Sequence, residues 1–376
     1  METKKYRTKQ EFRTLTNPKG KDFIIALDIG YSGTKIYTEH GYICFPSYAK
    51  KLEKGMLSVS DTHDILYKEE GSSDIYMVGF NAQNMTNDTS TNDTDGELFS
   101  RKRYADKRFK IISNVALALA TKYKKDNRQI FIETGLPSSY MSDEHDLKKA
   151  LCKPAKFQLK VGSDSWKSYE FGMKEEKIHV MPQPSGALYS VLMQNNGNDV
   201  PNAKEILCSN TLVMDIGFGT FDFFGIKNRV IDCKDSSDEC GMRKVFDLVT
   251  KRILDETGED IRVVALQKKL DDGFFDVINE DDWTSDQKSI SPYIEKATNE
   301  IFEEAMNKAR SVTNAFRGYQ YLIISGGTGE AWMDKIKERL AGMKTLKILP
   351  ANINDHFPLI YSNVRGYYLY RYSLSK

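Results

Sequence analysis

Short apolar runs broken by glycine-bearing turns recur along the chain. Phe23–Leu27 is one such run. Ile36–Glu39 follows it after the turn Asp28-Ile-Gly-Tyr-Ser-Gly-Thr-Lys35. Strand, glycine turn, strand predicts a hairpin. The same unit returns as Thr211–Met214, Asp215-Ile-Gly-Phe-Gly-Thr220 and Phe221–Ile226. Further strands are predicted at Gln129–Thr134, Phe157–Val161, Tyr169–Met173, Ile178–Met181 and Tyr321–Ile324. Helices are predicted at Ile111–Tyr123 and at Ser185–Met193, where Pro184 suits the first turn. Met242, Val245, Phe246, Val249 and Ile253 recur at helical spacing. A longer helix is predicted from the cap pair Ser291-Pro292, another through Trp332, Ile336 and Leu340, and a last one from about Pro358 to Tyr370. Thr86–Asp95 has no apolar residue and predicts a loop.

A chain of 376 residues supports two or three domain-sized units. Its 54 Lys+Arg against 53 Asp+Glu leave a net charge of +1. That balance excludes a generic polyanion binder, which needs many uncompensated cations. No apolar run reaches membrane-spanning length, and Met1–Arg13 has no apolar core of the secretory kind. The five cysteines are scattered without a C-x-x-C, as expected of reduced thiols in the cytoplasm. The five histidines show no ligand spacing. Residues 1–21 hold seven Lys/Arg against Glu2 and Glu11. They are expected to form a solvated, frayed arm; a contact arm for a partner or polyanion is the sharper reading.

The two matched turns lie 187 residues apart. One such turn means only backbone geometry; two in the same context suggest a duplicated unit. A tight glycine turn presents consecutive N–H groups as a nest for anionic oxygen. Gly30, Tyr31, Ser32 and Gly33, facing Gly217, Phe218, Gly219 and Thr220, would hold a β,γ-phosphate pair from both sides. Asp28 and Asp215 suit a Mg²⁺ that keeps its waters. Lys35 reaches back toward the phosphates as a point charge. The third motif, Ser325-Gly326-Gly327-Thr328-Gly329, stands between a strand and a helix. Its double glycine allows a flat ring close to the backbone, and the helix N-terminus favours phosphate. In third place after two phosphate turns it reads as an adenosine pocket.

In this order the three motifs resemble those of the actin superfamily, over about residues 23 to 370. Ile132-Glu-Thr-Gly-Leu-Pro137, Val180-Met-Pro-Gln-Pro184 and Tyr361-Ser-Asn-Val-Arg-Gly-Tyr-Tyr368 look most like ParM/StbA-type plasmid-segregation actins, of the divergent Gram-positive plasmid kind. The resemblance implies an α/β actin-like fold, with two ribonuclease-H-like domains flanking a nucleotide cleft. The first domain is expected over 22–180, with a small subdomain at about 45–110 and the C-terminal helix, 358–376, packed back on it. The second is expected over 181–350. Gly241 is expected beside the nucleotide, and Lys268 is a candidate near the ribose or adenine. The resemblance further implies hydrolysis of ATP or GTP with Mg²⁺, nucleotide-dependent filaments, and an adaptor protein joining them to plasmid DNA, so that neither direct nucleic-acid binding nor a membrane partner is expected. Asp28, Asp215 and Gln183 are the catalytic candidates. The ParM pattern has Glu where Gln183 stands. A glutamine cannot act as a general base at neutral pH, but it can orient a water; the other role open to it is capping the helix that follows. The rival functions are a sugar or small-metabolite kinase of the same fold and a cell-shape or division actin.

Overall fold

The computed structural model describes residues 3–53, 61–86 and 101–375. The predicted loop at Thr86–Asp95 lies, apart from Thr86, outside them.

The duplication is visible in the sheets. In the first half, Phe23–Ile29 pairs antiparallel with Gly33–Thr38, which pairs antiparallel with Gly41–Pro46. On its other side Phe23–Ile29 runs parallel to Ile130–Leu136, which runs parallel to Ile178–Pro182. In the second half, Thr211–Ile216 is antiparallel to Phe221–Lys227 and parallel to Tyr321–Ser325. Val230–Ser237 and Lys347–Pro350 complete that sheet. Each glycine turn thus joins the central strand of its sheet to the neighbouring strand. The central strands are buried along their whole length, as expected of strands covered on both faces.

The small subdomain is discontinuous. Its five-stranded sheet takes Ala49–Lys51, Ile65–Glu69 and Ile75–Val78, but also Ala155–Val161 and Lys167–Phe171. The span expected for it, about 45–110, is therefore too short at the C-terminal side. Tyr67, Phe157, Tyr169 and Phe171 cluster their rings on this sheet. Their alternation predicts strands but not the long-range partner. A second departure is the antiparallel hairpin Phe274–Asn279 with Thr284–Ser289, too polar to be predicted as strand. Ser291 opens its helix rather than capping it; the cap position is Ile290.

The basic arm is not frayed in residues 3–14. Thr3–Tyr6 forms a helical turn, and Glu11–Thr14 adds an edge strand to the first sheet by pairing with Gly41–Pro46. Tyr6 packs against the apolar core of the second half, and Thr3 Oγ1 donates to Leu270 O at 2.7 Å. An apolar or aromatic side chain outweighs the fraying expected of a charged terminus once it has a core to enter.

Two helices, Gln183–Leu192 and Ser362–Leu374, lie between the sheets. Ala187, Leu188, Val191, Val364, Tyr367 and Tyr368 bury there against Ile24 and Ala26 of one sheet and Val213 and Ile323 of the other. The helices cross where glycine faces glycine. A Cβ on Gly366 would lie 1.7 Å from the Gly186 carbonyl oxygen, and one on Gly186 would lie 2.6 Å from Asn363 O. Arg365, fully buried, fixes the rotation of its helix. It ion-pairs with Asp355 at 2.6 Å and donates to Ser190 O and Met193 O. No helix among the described residues is long and apolar enough to cross a membrane.

Because the obstacle at Gly366 is backbone, neighbouring side chains cannot relieve it. Gly366→Ala should destabilise by about 3 kcal/mol, the upper end for overpacking. Gly342→Ala, where nothing lies within 4 Å, should stay within about 0.5 kcal/mol. Urea midpoints of the two variants check this.

Candidate functional site

The two glycine turns face each other across the cleft between the halves. They touch: a Cβ on Gly219 would sit 2.2 Å from the Tyr31 ring. The Arg103 guanidinium lies 4.4 Å from the centre of that ring. Around them is a cavity of about 670 Å³, within the range of small-ligand sites. Its wall includes Asp28, Gly30, Tyr31, Ser32 and Lys35 from the first turn. The second turn gives Asp215, Gly217, Phe218, Gly219 and Thr220, and Gln183, Gly326, Gly327 and Thr328 line it as well.

Three predicted residues stand behind the wall. Gly33 lies in its strand against Thr8 and Cys44. Gly241, at the head of the helix Met242–Thr257, abuts the Phe218 carbonyl; Met242 is the residue that reaches the cavity. Ser325 is fully buried and its hydroxyl donates to Asn363 Oδ1 at 3.2 Å. Lys268 does not line the cavity.

Asp28 and Lys35 are register partners across the first hairpin, and Lys35 Nζ donates to Asp28 Oδ2 at 3.2 Å. Burial alone would lower the Lys35 pKa; the fields of Asp28, Cys44 and Asp215 outweigh it and raise it. Gln183 Nε2 donates to the other Asp28 oxygen at 3.1 Å. Gln183 opens its helix, and no side chain caps that helix end. Its amide is thus committed to the cleft rather than to the helix end.

Asp215 is held differently. Asn363 Nδ2 donates to its Oδ2 at 2.7 Å, while Oδ1 is buried without a partner. Burial raises its pKa to about 6; the hydrogen bond from Asn363 opposes this and Asp28 adds to it. An orphan carboxylate oxygen in a polar cleft fits a hard cation that keeps several waters. Among the described residues no three His, Cys, Asp or Glu are placed to cage a metal. A Mg²⁺ here would take few protein ligands, and Asp215 and Asp28 are the residues present to hold it through water.

Asp222 escapes sequence reasoning. It is the register partner of Asp215, as Lys35 is of Asp28, and stands at the same seven-residue offset. Superposing the two turns beyond Thr220 exposes it. The Ser138 backbone N–H and the Thr220 hydroxyl donate to it at 2.8 and 2.7 Å, and Ser236 donates as well. Burial, reinforced by Asp215, pushes its pKa up to about 7 against those hydrogen bonds. Asn363 also escapes notice, because nothing local marks a helix residue as the holder of a strand-end carboxylate. The third motif locks onto the second turn: Thr328 Oγ1 donates to Gly217 O at 2.8 Å. Gly326 has φ +85°, and a Cβ there would strike the Ile216 carbonyl at 2.3 Å.

Residues 26–186 match the family model described as actin like proteins N terminal domain. No curated protein matches the chain. Among solved structures, a pCBH ParM non-polymerisable quadruple mutant is similar at TM-score 0.70 and 19% identity, over 93% of this chain and 99% of that one. The ParM of a 15-stranded filament from Clostridium botulinum is similar at 0.66 and 18%, over 93% and 98%. Ta0583, an archaeal actin homolog, is similar at 0.61 and 19%, over 92% and 98%. The fold of this chain is therefore that of the actin-like proteins, with their N-terminal domain matched over residues 26–186.

Proposed function

We propose that the protein is an actin-like nucleotide hydrolase that assembles into filaments when ATP–Mg²⁺ is bound. The observation that carries this is the convergence of two duplicated glycine turns, each with its own strand-end aspartate, on one cavity between the halves. The turn amides and Lys35 hold the phosphates. The bound metal supplies charge neutralisation on them, and Asp215 and Asp28 hold its water shell. Catalysis of this kind is positioning and electrostatics. Gln183, fixed through Nε2 on Asp28, presents its carbonyl oxygen to accept from the attacking water and so orients it.

The solved neighbour described as a ParM filament supports self-association. We propose further a role in plasmid segregation in the cytoplasm, with DNA contact delegated to an adaptor protein. The near-neutral net charge accords with that delegation. The protein should pellet as filaments, visible by electron microscopy, on adding ATP–Mg²⁺. A nucleotide-binding species that stays monomeric in the supernatant overturns the filament reading in favour of a small-metabolite kinase.

Gln183→Ala should lower phosphate release about 10²-fold, the low end for proton-handling groups. ATP affinity should stay near that of the unchanged chain, and filaments should persist longer. Gln183→Glu should keep hydrolysis. Single-turnover phosphate release with a parallel binding titration separates these effects.

Asp215 and Asp222 make stability fall with rising pH. Their raised pKa values, about 6 and 7, lie above the ordinary carboxylate range. The folded chain thus holds more protons than the unfolded one between about pH 4 and 7, and loses that stability as pH rises through the window. Asp222→Asn keeps the hydrogen-bonding shape without the charge. It should remove on the order of 2 kcal/mol of the loss between pH 5 and 8. Urea midpoints across that range, without nucleotide or Mg²⁺, check it.

A further inference from the structure

The arm that sequence reasoning leaves frayed runs across the mouth of the cleft. At its inner end Glu11–Thr14 belongs to the first sheet. Gln10 then ties it to the small subdomain: Nε2 donates to His63 O at 2.7 Å, and Oε1 accepts from the Phe80 N–H at 3.0 Å. At the outer end Tyr6 and Thr3 reach the second half. Arg7 lies between them. Its guanidinium stacks 4.1 Å from the Phe80 ring centre, donates to Asn84 on the small-subdomain side, and ion-pairs with Asp271 on the other.

Arg7 also lines the nucleotide cavity. Its side chain is 4% exposed, yet Nε has no hydrogen-bond partner. Nε itself is sealed off, so Arg7 acts on the cavity it lines through its charge. The arm, moreover, changes the sign of the wall. Apart from it, the cavity is lined by Lys35 and Arg103 against four carboxylates, Asp28, Asp215, Glu330 and Asp334. The arm adds Lys5, Arg7, Lys9 and Arg13 against Glu11. With the arm in place the cavity is still about 670 Å³, so the arm walls the site rather than filling it.

We propose that the arm is a wall of the nucleotide site and that its cations, Arg7 among them, supply the positive charge that holds the phosphate tail. This rests on the nucleotide-binding reading above and extends it to a segment outside the three glycine motifs. The ligand group is a polyphosphate, because an otherwise acidic wall needs cations to accept one.

The test is equilibrium binding to the full chain of three probes with Mg²⁺: ATP, inorganic tripolyphosphate and adenosine. Arg7→Ala should weaken ATP and tripolyphosphate about tenfold, which is about 1.4 kcal/mol, and change adenosine less than twofold. Arg7→Lys should recover only part of the loss. Lys4→Ala, exposed and off the cavity wall, should bind like the unchanged chain. If Arg7→Ala does not fold, Arg7→Gln carries the same test. An Arg7 variant with undiminished ATP affinity but a lower melting temperature makes the residue a tie between the halves and overturns the proposal. So does an equal loss for ATP and adenosine. An unchanged chain that binds none of the probes refutes the nucleotide reading itself, a result seen before any variant is made.

Discussion

The spacing of the two glycine turns depends on one contact, the crossing of the helices Gln183–Leu192 and Ser362–Leu374. Each turn hangs from the central strand of its own sheet, and the sheets share a core built around those helices. Helix axes normally stay 8–10 Å apart because side chains separate them. At Gly186 and Gly366 there is nothing to separate them, and backbone rests on backbone. The helices also carry chemistry to the same place. Gln183 begins one and contacts Asp28; Asn363 lies near the start of the other and contacts Asp215. The contact that sets the distance between the halves therefore also orients one carboxylate in each.

Three buried or nearly buried carboxylates in one cleft repel each other, and each is relieved by a different means. Asp28 has an opposite charge, Lys35, in register across its hairpin. Asp222 has three hydrogen-bond donors and a pKa near neutrality. Asp215 has one donor and one orphan oxygen. Opposite the strand-end aspartate the duplication has diverged, with a lysine in one copy and an aspartate in the other. That asymmetry gives the cleft a cationic side and an anionic side. It suits a ligand carrying phosphate toward Lys35 and a metal toward Asp215.

What was legible in the sequence is what short-range pattern encodes. Asp28-Ile-Gly and Asp215-Ile-Gly announce their turns because glycine and a preceding apolar strand lie within a few residues. The helix at Gln183–Leu192 was legible because Pro184 suits a helix start, and Gln183 through the resemblance carried by Val180-Met-Pro-Gln-Pro184. The small sheet was not, because Ala155–Val161 finds its partner Ile65–Glu69 some ninety residues away, and alternation fixes a strand's faces but not its neighbour. Asn363 was hidden for the same reason: its role exists only after the closing helix returns to the second turn. Gly33, Gly241 and Ser325 were placed one layer too near the cavity, since a motif marks the backbone path and not which atoms reach the surface. Asp222 is a different case. Its offset from Asp215 repeats that of Lys35 from Asp28, so a longer comparison of the two turns finds it.

The arm fails sequence reasoning in a way that bears on its chemistry. Seven cations in 21 residues read as a solvated stretch, because charged side chains are expensive to bury alone. Within the cleft they are not alone. Arg7 meets Asp271, and Lys9 lies near enough to Glu330 to oppose the rise that burial gives its pKa. Those acids belong to the second half, while Gln10 is held by the small subdomain. Arg7 and Lys9 therefore find their acids across the cleft. Opening it would separate Arg7 from Asn84, losing a hydrogen bond, or from Asp271, leaving a cation and a carboxylate unpaired. A polyanion bound between the turns would reinforce the arrangement from within, since it adds negative charge where four of the six lining cations are carried by the arm. Closure and phosphate binding then draw on the same arginine, and that shared dependence is a physical route from the occupant of the cleft to the relative position of the two halves.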